Sequence, residues 1–249
     1  MDLRALIFDV DGTLADTERD GHRLAFNQAF FEAGLDWHWG VDRYGELLSV
    51  AGGKERIKFY IERYCPEYHK SADFDAMVVK LHHEKNRLYT QLLTTGKIPL
   101  RPGVRRLLLE ARAAGLRLAI ATTTTPENVT ALLSHTLGKD SLNWFEVIAA
   151  GDDVTAKKPA PDIYQWVLQK MQLRSEYCLA FEDSENGMKS SSGAGLKTVV
   201  TINDYTASHC FDAAVLVLSD LGEPESGCQV LHGILSGSNH VNLNVLATL

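Results

Sequence analysis

Residues 6–14 read Leu-Ile-Phe-Asp-Val-Asp-Gly-Thr-Leu, an apolar run that ends at two carboxylates and a glycine. Such a run predicts a buried strand whose carboxyl end brings Asp9 and Asp11 to the edge of a sheet, where open α/β sheets bind their ligands. The alternation places both carboxylates on one side of an extended chain, where a divalent cation, a shared proton or a lysine must neutralise them. An ordinary turn also uses Asp and Gly, so the interpretation depends on the rest of the chain.

The composition is that of a globular chain, with 249 residues, 45% of them hydrophobic and 23% charged. This length is enough for one sizeable core domain and a smaller one. The net charge of −7 argues against nucleic acid and anionic membranes as partners. The four cysteines form no CxxC pair, which favours a reducing compartment. Since neither a signal peptide nor a span of about 20 apolar residues is visible, we expect a cytoplasmic protein, or a plastid stroma protein whose transit peptide has been removed.

The spacing of apolar residues divides the chain into two parts. Residues 17–96 show helical spacing and no strong strand, which predicts an all-helical unit inserted after the first strand. From residue 97 onward strands and helices alternate, which predicts an α/β core with a doubly wound parallel sheet. We therefore expect residues 1–16 and 97–249 to form the core and residues 17–96 a helical cap domain. The polar tail after Leu231 shows no clear period, and both a disordered segment and a terminal helix remain open.

Polar side chains follow four of the predicted strands and should meet at one edge of the sheet. They are Asp9, Asp11, Thr122, Lys158, Glu182 and Asp183. Each alone has an ordinary explanation as a strand end, a surface charge or a helix cap. Together they are what metal-assisted phosphoryl transfer requires: a carboxylate nucleophile and a second carboxylate that moves protons. A hard cation held by oxygens, with a lysine and a hydroxyl on the phosphoryl oxygens, completes the set.

A second candidate site lies in the helical part, at residues 51–57 with the sequence Ala-Gly-Gly-Lys-Glu-Arg-Ile. Two glycines before a predicted helix expose backbone N–H groups, and Lys54 and Arg56 add positive charge. This arrangement could hold a second phosphate. A flexible helix start with solvated Lys and Arg side chains explains the composition equally well.

Four strings resemble, in their order, the motifs of the haloacid dehalogenase (HAD) superfamily. They are DVDGTL at 9–14, IATTTT at 120–125, KKPAPDIY at 157–164 and FEDSENG at 181–187. The resemblance implies a Rossmann-like α/β core and identifies the helical insertion with the mobile cap of that superfamily. It also speaks against a dehalogenase, because haloalkanoate dehalogenases need no metal and lack the second aspartate.

The resemblance implies a role for each motif residue in a phosphatase. Asp9 would be the nucleophile that forms a phosphoaspartate, and Asp11 would protonate the leaving sugar oxygen and later activate water. Thr122 and Lys158 would hold the transferred phosphoryl group. Mg²⁺ would be bound by the Asp9 carboxylate, the Asp11 backbone carbonyl and Asp183, with Glu182 close by.

Three further segments resemble one group within the superfamily, the xylulose-1,5-bisphosphate phosphatases. These enzymes remove an inhibitor of Rubisco and so serve the Calvin cycle. The three segments are residues 16–27, residues 44–57 and residues 100–104. The expected products are xylulose 5-phosphate and inorganic phosphate. The residues implied to bind the substrate are Glu18, His22, Gly52, Gly53, Lys54, Arg56, Thr122, Thr123 and Lys158.

The resemblance leaves other functions open. β-Phosphoglucomutase and phosphoglycolate phosphatase share the core, and an inactive phosphosugar-binding regulator is an alternative of another class. We expect a monomer whose partner is a small phosphorylated sugar, with no nucleic acid or membrane partner. Cap movement about hinges near Ala15–Asp16 and Gly96–Lys97 should open and close the site.

Overall fold

The computed structural model describes residues 2–66, 68, 73–95 and 98–249. Its centre is a seven-stranded sheet with the order β3-β2-β1-β4-β5-β6-β7. The strands are β1 (Ala5–Phe8), β2 (Arg117–Ala121), β3 (Phe145–Ala149), β4 (Cys178–Glu182), β5 (Lys197–Thr201), β6 (Leu216–Leu218) and β7 (Val230–His232). The first six run parallel, and β7 pairs antiparallel with β6. The predicted α/β fold with a doubly wound sheet is confirmed, with an antiparallel edge strand that was not predicted.

Strand β1 is central because its four residues are buried and pair on both sides, with β2 and with β4. Its side chains alternate between the two faces of the sheet, as the period of a strand requires. Leu6 and Phe8 belong to one apolar cluster, and Ala5 and Ile7 belong to another. Helices cover both faces, and the carboxyl end of β1 opens directly toward the candidate site.

Nine α-helices lie within the described residues. They are α1 (Arg23–Glu32), α2 (Val41–Leu47), α3 (Gly53–Tyr64), α4 (Phe74–Thr94), α5 (Val104–Ala113), α6 (Pro126–Thr136), α7 (Asp162–Met171), α8 (Glu185–Gly193) and α9 (Leu243–Thr248). A π-helical turn at Glu18–His22 leads into α1. The first four form the predicted helical insertion and share an apolar core of their own, which includes Phe26, Trp39 and Ile57. The division of the chain into two domains stays a prediction.

The two segments that join the helical insertion to the sheet run side by side. Ala15 forms an antiparallel bridge with Leu100, and the Arg101 amide donates to the Leu14 carbonyl at 2.9 Å. Ala15 is fully buried in this pairing, so the predicted hinge at Ala15–Asp16 begins at a packed residue. The other predicted hinge, Gly96–Lys97, lies outside the described residues.

The C-terminal tail is ordered over the segments that form β7 and α9. Val241, Val245 and Leu246 are buried, and the Val241 amide donates to the Leu221 carbonyl at 2.8 Å. The terminal-helix alternative is therefore right for α9. The sequence does not reveal β7 because all three of its residues are exposed, so no alternation of apolar and polar residues marks it. Among the described helices, none combines the length and the apolar character needed to cross a bilayer.

Candidate active site

Three buried carboxylates and a buried lysine meet at the carboxyl ends of the central strands. Asp9 follows β1, Glu182 ends β4 and Asp183 follows it, and one ligand atom from each lies within 4.8 Å of the others. The Lys158 Nζ donates to Asp9 Oδ1 at 2.7 Å, to Glu182 Oε1 at 2.6 Å and to the Ala121 carbonyl at 2.9 Å. The predicted convergence of these strand ends is therefore what the structure shows.

The charges of this cluster are unbalanced, because three carboxylates surround the one ammonium group of Lys158. Burial raises the pKa of Asp9 to about 7, even though Lys158 attracts the ionised form. Burial, with repulsion from Asp9 and Glu182, raises the pKa of Asp183 well above its usual range. The Lys158 pKa is raised as well, since attraction to the carboxylates outweighs its burial. The cluster would bind additional positive charge.

The residues of the cluster fit a hard divalent cation. All three offer carboxylate oxygens, the ligands that Mg²⁺ prefers, and within the described part of the chain the buried Glu182 Oε2 has no hydrogen-bond partner. Gly12 has a φ of 85°, and a Cβ on it would lie 2.2 Å from Asp183 Oδ2. Only a glycine lets the backbone pass this close to the cluster. Glu182 was expected only near the cation, but its position makes it a candidate ligand. The Asp11 backbone carbonyl stays a predicted ligand.

The Asp11 side chain is not one of the three clustered carboxylates and has its own hydrogen-bond partners. Its Oδ1 accepts hydrogen bonds from Thr17 Oγ1 and, at 2.8 Å, from His22 Nε2. Lys85 Nζ lies 2.8 Å from His22 Nδ1. Because an ammonium group can only donate, Nδ1 accepts and the His22 proton resides on Nε2. Burial would raise the pKa of Asp11, but the hydrogen bonds from His22 and Thr17 and the positive charge of Lys85 outweigh it and hold the pKa below its usual range.

A cavity of about 250 Å³ lies between the sheet edge and the helical insertion. From the sheet side it is lined by Asp9, Asp11, Thr122, Thr123, Lys158, Glu182 and Asp183. Glu18 and Arg56 line it from the helical side. The structure thus brings all the predicted catalytic residues and part of the predicted substrate-binding set to one cavity.

Arg56 is buried and already holds several partners. Its guanidinium donates to the Leu47 carbonyl at 3.2 Å, to the Val50 carbonyl at 3.3 Å and to Tyr44 Oη at 3.0 Å. The Tyr44 hydroxyl in turn donates to Glu18 Oε2. Arg56 therefore fixes Glu18 through Tyr44 and also lies close to it directly, with 3.8 Å between Arg56 Nη1 and Glu18 Oε2.

The other predicted residues of the helical insertion border neighbouring cavities. Gly52 and Gly53 line a small recess that also reaches Asp11 and His22. Lys54 lines an adjoining crevice, where its Nζ lies 2.9 Å from Asp152 Oδ2. Gly52 has a φ of 95°, which a side chain would strain, so the chain turns sharply into α3 at this glycine.

Several polar residues of the site were not predicted. Lys85 holds His22, Thr17 holds Asp11, and Tyr164 Oη donates to Glu182 Oε1. Tyr164 lies inside the quoted string KKPAPDIY, so its position gave a signal. Lys85 gave none, because it belongs to a helix with many charged residues and faces a partner 63 positions away.

Residues 3–195 of the chain match the model of the haloacid dehalogenase-like hydrolase family. The chain is 49% identical over 222 residues to the protein named CbbY from Cupriavidus necator, a match that covers 89% of this chain and 87% of that protein. It is 29% identical over 243 residues to a phosphorylated carbohydrates phosphatase from Thermotoga maritima, covering 94% of this chain and 100% of that one.

A solved structure resembles the chain over most of its length. It is a mutant of CbbY from Rhodobacter sphaeroides in complex with xylulose 1,5-bisphosphate. The TM-score is 0.82 at 41% sequence identity, and the match covers 89% of this chain and 96% of that one. Because the unmatched remainder of this chain is shorter than the helical insertion, the likeness extends over at least part of that insertion.

Proposed function

Because the chain belongs to the haloacid dehalogenase-like hydrolase family, we propose that it is a Mg²⁺-dependent sugar-phosphate phosphatase that acts through a phosphoaspartate. The predicted superfamily and the predicted phosphatase class are confirmed. The observation that carries the proposal is that the two aspartates of one cavity have different partners. Asp9 accepts a hydrogen bond from Lys158 in the acidic cluster, whereas Asp11 accepts hydrogen bonds from Thr17 and His22.

These different partners suit the two aspartates to different roles. Asp9 attacks phosphorus, and Lys158 and Thr122 hold the phosphoryl oxygens. Asp11 gives a proton to the leaving sugar oxygen, and then removes one from the water that hydrolyses the phosphoaspartate. A cation bound by the carboxylates would screen the anionic nucleophile from the anionic phosphate.

The protonation of Asp11 must change between these two steps. In this arrangement the pKa of Asp11 is low, so its carboxyl group is ionised. The ionised form is the one that can remove a proton from water. An anionic substrate in the cavity raises the pKa of a neighbouring carboxyl and favours the protonated form that the first step needs. His22 and Lys85 keep the carboxyl oriented toward the cavity during both steps.

For the substrate we propose xylulose 1,5-bisphosphate, which would yield xylulose 5-phosphate. The support is the xylulose 1,5-bisphosphate bound in the related solved structure and the polar surface of the helical insertion. Glu18, held by Tyr44, would accept hydrogen bonds from sugar hydroxyls. Lys54, the Arg56 guanidinium and the backbone at Gly52–Gly53 would hold the phosphate that is retained.

The proposal includes the setting of the enzyme. A phosphatase for this bisphosphate would work beside the Calvin cycle, in the cytoplasm or in a plastid stroma. We propose a monomer that has neither nucleic acid nor a membrane as a partner.

The test is phosphate release from a panel of sugar phosphates, measured with and without Mg²⁺. We expect the highest kcat/KM for xylulose 1,5-bisphosphate and no turnover after removal of the metal. A clear preference for monophosphates would contradict the proposed substrate. Conversion of glucose 1-phosphate to glucose 6-phosphate without phosphate release would identify a mutase, and a preference for phosphoglycolate would identify a phosphoglycolate phosphatase.

The panel must also separate an enzyme from an inactive binding protein. The Asp9→Asn variant, which lacks the nucleophile, serves as the comparison. Equal phosphate release by the wild type and by this variant would point to a phosphosugar-binding regulator and a contaminating phosphatase.

A further inference from the structure

Three consecutive residues of the loop after β5 connect the acidic cluster to the helical insertion. Asn203 contacts Asp183 of the cluster, while Asp204 and Tyr205 contact the insertion. None of the three was predicted as a site residue. Their contacts bridge two surfaces that face each other across the candidate active site.

The Asn203 side chain is fixed at both of its polar atoms. Its Nδ2 donates to Asp183 Oδ2 at 2.7 Å, and its Oδ1 accepts from the Tyr205 amide at 3.0 Å. Thr206 Oγ1 accepts from the Asn203 amide at 2.9 Å. The position of the Asp183 carboxylate and the position of the Tyr205 backbone therefore depend on one side chain.

Tyr205 packs against the second helix of the insertion. Its ring meets the ring of Tyr44 edge to face, with 6.0 Å between the ring centroids. The ring also lies over Gly45, where a Cβ would approach it to 3.1 Å. Tyr44 is the residue that holds Glu18, so the Tyr205 ring supports a side chain of the substrate site. Beside it, Arg19 Nη1 of the insertion lies 2.7 Å from Asp204 Oδ2.

The core holds the base of this loop in place. The Arg101 guanidinium, which is buried, donates to the carbonyls of Ile202 and Thr201 and, at 2.7 Å, to that of Ser219. Because the base of the loop is anchored in this way, we expect a displacement of the Tyr205 ring to move Asn203 rather than strand β5.

We propose that Asn203-Asp204-Tyr205 is a coupling segment, through which cation binding at the acidic cluster and docking of the helical insertion strengthen each other. Asn203 acts on the cation site through Asp183, and Tyr205 acts on the substrate site through Tyr44. Coupling between two sites is reciprocal, so a change at the docked helix must alter the affinity for the cation. The inference rests on the proposed cation site.

The test uses a substitution on the insertion, which touches none of the candidate cation ligands. Gly45→Ala places a methyl group against the Tyr205 ring, while alanine favours the helical backbone of α2. Gly40→Ala is the matched control, since no described atom lies within 4 Å of the Cβ it would add and its φ is −65°. Tyr205→Phe is the second control, because it keeps the ring and removes only the hydroxyl.

Mg²⁺ affinity is measured by isothermal titration calorimetry on the full chain without substrate. We expect Gly45→Ala to weaken Mg²⁺ binding about fivefold or more, the lower end of typical coupling, and both controls to bind like the wild type. In an Asn203→Ala background, which breaks the connection, Gly45→Ala should change the affinity less than about twofold. KM for the bisphosphate should rise in the Gly45→Ala enzyme as well.

The outcomes separate the inference from the proposed function. Absence of Mg²⁺ binding in the wild type would overturn the cation site itself. Normal Mg²⁺ binding by wild type and Gly45→Ala alike would overturn the coupling and leave the cation site standing. An equal loss in the presence and absence of Asn203 would show that the effect does not pass through this segment, and would overturn the inference as well.

Discussion

The Lys158 ammonium group lies 2.7 Å from Asp9 Oδ1 and forms a buried ion pair with it. The same group lies 2.6 Å from Glu182 Oε1. A single lysine therefore holds two carboxylates in place at the ends of β1 and β4, which are neighbours in the sheet. The geometry of the proposed nucleophile depends on this one side chain.

Replacement of Lys158 should destabilise the protein. In Lys158→Gln two buried carboxylates lose their counter-charge, and breaking a buried pair of this kind costs about 3–5 kcal/mol in the free energy of unfolding. Urea denaturation measures the change. Lys157→Gln is the matched control, because Lys157 pairs with the exposed Asp152 and should lose no more than about 1 kcal/mol. Equal losses in the two variants would contradict the role given to Lys158.

The Asp9→Asn variant should lose its activity and keep its fold. Removal of a nucleophile lowers kcat by at least about 10⁴-fold, which single-turnover phosphate release can detect. Thermal stability without metal should not fall, because burial makes the ionised Asp9 carboxylate costly and the amide removes that cost. Asp140→Asn, at an exposed position, should behave like the wild type in both measurements. A collapse of stability in Asp9→Asn would show that the carboxylate is needed for folding.

Activity should decline as the pH rises through about 8. Burial lowers the pKa of Lys85 to about 8, so the side chain is charged below this pH and neutral above it. Loss of the charge weakens the donation to His22, and His22 in turn holds the Asp11 carboxyl in place. The profile of kcat/KM between about pH 6.5 and 9.5 measures this limb at saturating Mg²⁺.

The Lys85→Arg variant tests whether the decline in activity near pH 8 is due to Lys85, since a guanidinium stays charged over the whole pH range. We expect the decline near pH 8 to disappear in this enzyme, whereas Lys80→Arg, an exposed position on the same helix, should keep it. A limb that persists in Lys85→Arg would belong to another group.

Removal of the Lys54 charge should affect the bisphosphate more than a monophosphate. If the ammonium group holds the retained phosphate, Lys54→Gln raises KM for xylulose 1,5-bisphosphate by about tenfold, the equivalent of about 1.4 kcal/mol. The KM for a monophosphate that lacks this group should change little. Asp152→Asn removes the partner of Lys54 in the structure and serves as the control for loss of that ion pair. A uniform change across both substrates would exclude this phosphate contact.

The sequence predicts the central strand and its site residues because each signal is local. The apolar run at 6–14 ends at Asp9, and in the same way Glu182 and Asp183 follow an apolar strand. A few consecutive residues therefore indicate both the strand and the site residues at its end. The parallel topology then predicts that these residues meet, since parallel strands bring their carboxyl ends to one edge of the sheet. The helices are recognised because Pro126 opens α6 and long apolar periods mark α4.

What could not be predicted depends on contacts between distant residues. Periodicity indicates which face of α4 points inward, but not that Lys85 on that face meets His22. Arg56 was expected to hold phosphate, yet the carbonyls it contacts belong to the end of α2 and to the turn after it, whose path the sequence does not specify. Tyr205 belongs to a loop without periodicity, and only the folded chain shows that its ring rests on Gly45.

The pairing of Ala15 with Leu100 has an evolutionary consequence. Because the outgoing and returning segments leave the sheet as adjacent, hydrogen-bonded neighbours, a different insertion with closely spaced ends could replace the helices without disturbing the strands. The reactive chemistry and the choice of sugar would then be inherited as separate parts, and new specificities could arise by exchange of the part that lies between these two positions.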